Sequence, residues 1–256
     1  MSVMFRFLAY YLPLTALCFI LSIAIHEMGH LTGGLLCGYR FSSFEIMGVF
    51  VIRTGGRLKF GIRKKTCLGQ CVMYTDNFRT NAVLLILGGV IANGILSAVS
   101  ALMFAVCLME EYTADAAMEI FMPKSCHMEV FFLLLFILNT MAVICNVISD
   151  DPANDGNTYA DAAKSSLHTE AYNRIMCIYA KLNEGCDIRE IDGRLFDLPD
   201  MFLSSLSAEL AFFRFMHLRG QDIVQENIEI KRLEKFAPGL IDPEEVYNTG
   251  SFRKND

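Results

Sequence analysis

The sequence predicts an α-helical integral membrane protein, with three spanning helices, a short β-hairpin at the membrane surface and a soluble helical region after them. Three observations carry that expectation. Of the 256 residues, 54% are hydrophobic, too many for an ordinary soluble chain of this length. The excess is gathered into three uncharged runs, residues 7–25, 82–109 and 130–149, each long enough to cross hydrocarbon. The charges between the runs are sorted by sign.

The first span, about residues 7–30, carries the apolar run into His26 and His30. A cleaved secretory signal competes for this run, but its apolar region is typically ~7–15 residues, and cleavage would strand His26. Residues 42–74 change character. Residues 44–52 are rich in aromatic and β-branched side chains, residues 57–62 alternate polar with apolar, and Thr54-Gly55-Gly56 between them is hairpin-turn chemistry. This segment reads as a hairpin at the membrane surface, with 71–74 as a further strand. The second span, 82–109, has length to spare for tilt or for a kink near Gly88, Gly89 and Gly94. The third covers 130–149.

From 157 to 256 the chain is soluble in character. Residues 158–183, 203–218 and 222–236 read as helices, and Pro199, Pro238 and Pro243 mark breaks. Phe202, Leu206, Leu210, Phe213 and Met216 form the apolar set expected at the core of a small bundle. The domain expectation is a membrane core over 1–156 and a cytoplasmic helical tail over 157–256.

Between the first two runs lie Arg40, Arg53, Arg57, Lys59, Arg63, Lys64, Lys65 and Arg79, against Glu45 and Asp76. Between the second and third lie Glu110, Glu111, Asp115, Glu119 and Glu129, against Lys124. The positive-inside rule therefore puts the first loop and the tail in the cytoplasm, most simply across a bacterial cytoplasmic membrane. Topology accounts for the basic loop, so no nucleic-acid partner is expected. Nine scattered cysteines, several inside spans, read as reduced thiols rather than a disulfide framework.

Within the first span stands His26-Glu27-Met28-Gly29-His30. A helix sets residues four apart on one face, so both imidazoles can hold one Zn2+ while Glu27 reaches the attacking water. A hydrolytic zinc usually takes a third protein ligand. His127 falls on the opposite side by topology, and His168 and His217 fall in the tail. A carboxylate at the cytoplasmic end of the third span suits better, with Asp150, Asp151 and Asp155 as candidates.

These features resemble the site-2 protease family of intramembrane zinc metalloproteases. The resemblance covers about residues 7–156: His-Glu-x-x-His on one span, Gly88-Gly89-Val90-Ile91-Ala92-Asn93 on the next, and Asp155-Gly156 after the third. No PDZ-like insertion is visible between the motifs, so the chain is similar to the compact branch. The resemblance implies that Asp155 is the third zinc ligand, that Glu27 is the general base, and that Asn93 contacts substrate or the developing oxyanion. Asn146 and Pro152 echo the usual setting of the Asp-Gly, although the prolines are spaced differently, and Asp150 and Asp151 compete for the ligand role. The implied activity is hydrolysis of peptide bonds in membrane-embedded substrates: tethered single-span regulators, signal-peptide remnants or peptide precursors. The expected partners are such a substrate, the lipid bilayer, and a cytoplasmic protein for the tail. The competing reading is a non-catalytic zinc-binding membrane module that recruits partners through its tail; an intact Glu27 argues against it.

Overall fold

The computed structural model describes residues 3–64, 67–113, 126–148, 154–197, 205–221 and 223–236. The chain divides into two compact units, Met1–Met73 with Asn81–Tyr159, and Tyr74–Thr80 with Ala160–Asp256.

The first unit holds three helices long and apolar enough to cross a membrane, at Ala9–Leu36, Val83–Met109 and Met128–Ile148. They belong to α1 (Val3–Leu36), α2 (Val83–Thr113) and α3 (Cys126–Ile148). Helix α1 continues beyond the expected end near residue 30. It stops where Gly38 takes a left-handed φ of 82°, with the Tyr39 N–H donating to the Gly34 carbonyl at 2.9 Å.

Helices α1 and α2 meet through backbone. A Cβ on Gly29 would strike the Gly88 carbonyl, one on Gly33 the Leu84 carbonyl, and one on Gly88 the Gly29 carbonyl. Gly29 and Gly33 are four apart, the spacing that lets helices approach where no apolar driving force separates protein from lipid. Helix α2 runs unbroken past Gly88, Gly89 and Gly94, and Gly88 and Gly89 are points of close approach to α1. Polar side chains join α3 to its neighbours. The fully buried Asn139 donates to Ser22 Oγ at 3.0 Å, and the Ser97 and Thr140 hydroxyls lie 2.8 Å apart.

Between α1 and α2 lies a four-stranded sheet of order β3-β2-β1-β4, formed by β1 (Arg40–Ile46), β2 (Val49–Thr54), β3 (Arg57–Ile62) and β4 (Gly69–Tyr74). The β2–β3 turn falls at Gly55-Gly56 as expected, with Thr54 opposite Arg57. The stretch 44–52, read as one strand, is two. It reverses at Met47-Gly48, which take φ values of 47° and 87°, so that Ile46 pairs with Val49. Positive φ at both central residues is the primed turn that matches strand twist. The β2–β3 register puts Val49, Val51, Leu58, Phe60 and Ile62 on one face, where Phe60 is 75% and Ile62 82% exposed.

After the third span, residues 158–183, expected as one helix, divide between the end of α4 (Asp155–Ala162) and α5 (Ser166–Asn183), the latter in the second unit. Ser165 ends the continuity, because its hydroxyl accepts the His168 N–H and caps α5. The buried Asn173 of α5 donates to the Phe78 and Thr80 carbonyls at 2.8 and 2.9 Å. Helices α6 (Ser205–Leu218) and α7 (Ile223–Phe236) follow. Leu206, Leu210 and Phe213 are buried and Met216 packs against the Ala211–Phe215–Leu233 core. Phe202 lies outside the described residues.

Candidate metal centre

The last third of α1 supplies His26, Glu27 and His30. Four-residue spacing stacks the two imidazoles edge to face with centroids 4.7 Å apart, and the two Nε2 atoms stand 3.1 Å from one another. Their approach depends on α2. A Cβ on Gly89 would lie 2.5 Å from His30 Nε2 and 2.6 Å from His26 Nε2, so a side chain there would occupy the space of the rings. One turn earlier on α2, the Leu85 carbonyl accepts from His30 Nδ1 at 2.7 Å. One turn later, the Asn93 amide meets His26 Nδ1 at 3.2 Å.

Asp155 arrives from the other side, as the first residue of α4. Asn154 precedes it, accepting the Asn157 N–H on its side chain at 2.9 Å and the Thr158 N–H on its carbonyl at 2.9 Å. Gly156 lets this turn sit on the end of α3, since a Cβ there would lie 3.2 Å from Val147 Cα and press on the Asn146 carbonyl. The Asn146 side chain itself is occupied, donating to the Ala142 carbonyl at 2.9 Å. Asp155 Oδ2 comes to rest 3.1 Å from His26 Nε2 and 3.4 Å from His30 Nε2. Burial pushes the Asp155 carboxyl up, but the imidazoles beside it prevail and hold it down at about 2. It is ionised at neutral pH, as a ligand must be.

His26, His30 and Asp155 form a group whose ligand atoms all lie within 4.8 Å of one another. Tetrahedral ligands at ~2.0–2.1 Å from a zinc stand about 3.3 Å apart, and the contacts here span 3.1 to 3.4 Å. Among the described residues, buried Asp155 Oδ2 has no well-directed hydrogen bond, although two imidazole nitrogens are near. Lone pairs converging on a common point, rather than donors meeting acceptors, give that pattern. The residues present therefore fit a metal ion. Asp150 and Asp151 lie outside the described residues, as does the side chain of His127. His168 accompanies Ser165 and His217 stacks on Phe196, both in the second unit.

Glu27 is 7% exposed and lies in the electrostatic field of His26, His30 and Asp155. Strand β4 covers it. A Cβ on Gly69 would fall 2.8 Å from Glu27 Cγ and closer still to its carboxylate, so the strand backbone rests on the acid. A glycine inside a strand marks such an approach, and this was the available signal for a residue that motif reading passes over. Two residues on, Cys71 lies on the same side of β4. Burial, and then the Glu27 carboxylate, push its thiol up to about 12. Because the thiolate is the reactive form, maleimide labelling of Cys71 at pH 7.5 is expected to trail that of the exposed Cys67 by at least about tenfold. The Cys71 rate should climb with pH without levelling off over the range in which maleimide is stable, since its thiol stays mostly protonated there. Peptide mapping by mass spectrometry checks this, and equal labelling of the two thiols would contradict it.

The family model described as Peptidase family M50 matches residues 14–230, a range that contains every residue of this centre. No curated protein matches the chain, and no solved structure does.

Proposed function

The chain belongs to peptidase family M50, the site-2 protease family, and from that premise we propose that it is an intramembrane zinc metalloendopeptidase acting on membrane-embedded peptides or single-span proteins. The observation that carries this reading is the convergence of His26, His30 and Asp155 at one end of helices apolar enough to span a bilayer. Bound there, zinc supplies electrophilic assistance to the scissile carbonyl and acidifies the attacking water. Glu27, one residue from His26 and beneath β4, takes the water's proton and returns it to the leaving amine. Asn93 supports the oxyanion through its amide NH2.

A spanning substrate helix has its backbone groups already paired, so it must unwind before a peptide bond is presented. The sheet beside Glu27 offers edge strands that suit capture of the unwound segment. The outward apolar face of β2 and β3 suits a resting place on lipid. The charge bias between spans supports a site near the cytoplasmic face of a bacterial cytoplasmic membrane, with the helical region after residue 156 in the cytoplasm and available to a partner.

The test is zinc stoichiometry of the full chain purified in detergent. One zinc per chain is expected in the wild type, and well under half that in His26→Ala and Asp155→Ala. Full zinc retention in Asp155→Ala would remove Asp155 from the ligand set.

A further inference from the structure

We propose that Asn93 is a positioning residue for His26: its amide oxygen accepts the His26 Nδ1 proton and so fixes the tautomer in which Nε2 faces the metal. The inference rests on the metal-site reading above and goes beyond the oxyanion role.

The argument starts from the rings. His26 Nε2 lies 3.1 Å from both Asp155 Oδ2 and His30 Nε2, so Nε2 is the atom directed at the centre. A neutral imidazole that coordinates through Nε2 carries its proton on Nδ1 and needs an acceptor there. His30 has one, the Leu85 carbonyl, which can only accept. Among the described residues, His26 Nδ1 meets the Asn93 amide alone. With the NH2 end at 3.2 Å, two N–H groups would face each other, while Asn93 Oδ1, in a side chain only 2% exposed, has no hydrogen-bond partner among the described residues. A half-turn of the amide corrects both faults: Oδ1 takes the Nδ1 proton, and the NH2 group is released for another acceptor.

The placement on α2 supports a built outer shell. Leu85, Gly89 and Asn93 are four residues apart and lie on one face of the helix. Leu85 holds His30, the bare backbone of Gly89 admits both rings, and Asn93 holds His26. One helix face thus orients both ligands of the neighbouring helix, once through main chain and once through a side chain. Such partners typically alter metal affinity 10–100-fold. A purely interhelical amide would tolerate any group of the same shape.

Two variants separate these roles. Asn93→Leu keeps the size and removes the acceptor; Asn93→Asp keeps an acceptor at the same place. Zinc affinity of the full chain in detergent is measured by competition with a chromophoric chelator, alongside the unfolding midpoint of chelator-treated protein. Asn93→Leu is expected to bind zinc about 10–100-fold more weakly than wild type, with the chelator-treated midpoint unchanged. Asn93→Asp is expected to bind within a few-fold of wild type, or more tightly. Wild-type affinity in Asn93→Leu overturns the proposal. So does an equally deep loss in Asn93→Asp, which would trace the effect to shape rather than to the acceptor. A wild type that binds no zinc would instead overturn the metal-site reading itself, and that result precedes any comparison of variants.

Discussion

Glu27→Gln is expected to lower peptide-bond cleavage by about 10²–10⁴-fold, the usual share of a general acid–base group, while zinc stays at one per chain. The substitution is close to isosteric, so it removes the base without opening a cavity. The ligand atoms that converge belong to His26, His30 and Asp155, which leaves Glu27 outside the set. Its burial beneath Gly69 also means that the site has no exposed carboxylate at this position to serve by a change of rotamer. Cleavage of a tethered reporter in membranes, read by immunoblot beside metal analysis of the purified protein, checks both halves. A Glu27→Gln protein that cleaves at the wild-type rate would sink the assignment; one that loses zinc would show that Glu27 holds the metal.

The second large effect is expected at a glycine. Gly33→Ala should destabilise the helical core by about 1–3 kcal/mol or more, the range for forcing volume into a packed contact. The added methyl would meet the Leu84 carbonyl, and backbone cannot swing aside as a long side chain can. Gly94→Ala is the control. Nothing stands within 4 Å of a Cβ there, and alanine is favoured over glycine in a helix by up to about 1 kcal/mol. Thermal unfolding in one detergent should therefore move in opposite directions for the two variants. Equal midpoints would contradict the backbone-to-backbone contact between α1 and α2.

Gly94 and Gly33 look alike in the sequence, which shows where reading from residues alone runs out. Three apolar runs were legible because length and lack of charge mark a spanning helix without any knowledge of its neighbours. The pair His26 and His30 was legible because helical spacing is a local rule. Asp155 needed the family resemblance, since nothing local separates it from Asp150 and Asp151. The split of β1 from β2 was hidden because Met47 carries no turn signature, and only Gly48 beside it hints at a positive φ. The break at Ser165 was hidden by the good helix formers Ala162, Ala163 and Lys164 before it. The Leu85 carbonyl and the Gly69 backbone act through main chain, which every residue has, so no side-chain pattern announces them.

The glycine contact between α1 and α2 also bears on how a substrate of the proposed kind would arrive from the bilayer. Where Gly29 meets Gly88 and Gly33 meets Leu84, no gap remains wide enough for an acyl chain, still less for a peptide. On the proposed function, a substrate segment entering sideways meets this seam closed. At the borders of α3 the hydrogen bonds among the described residues run from side chains, Asn139 to Ser22 and Cys18 to the Phe131 carbonyl on one side and Ser97 to Thr140 on the other, and such links in membranes average about 0.6 kcal/mol. Helix α3 packs along α2 about as extensively as α1 does, so the seam at Gly29 and Gly33 differs from that border in the closeness of its backbones rather than in its extent, and it is the place where the least room is left.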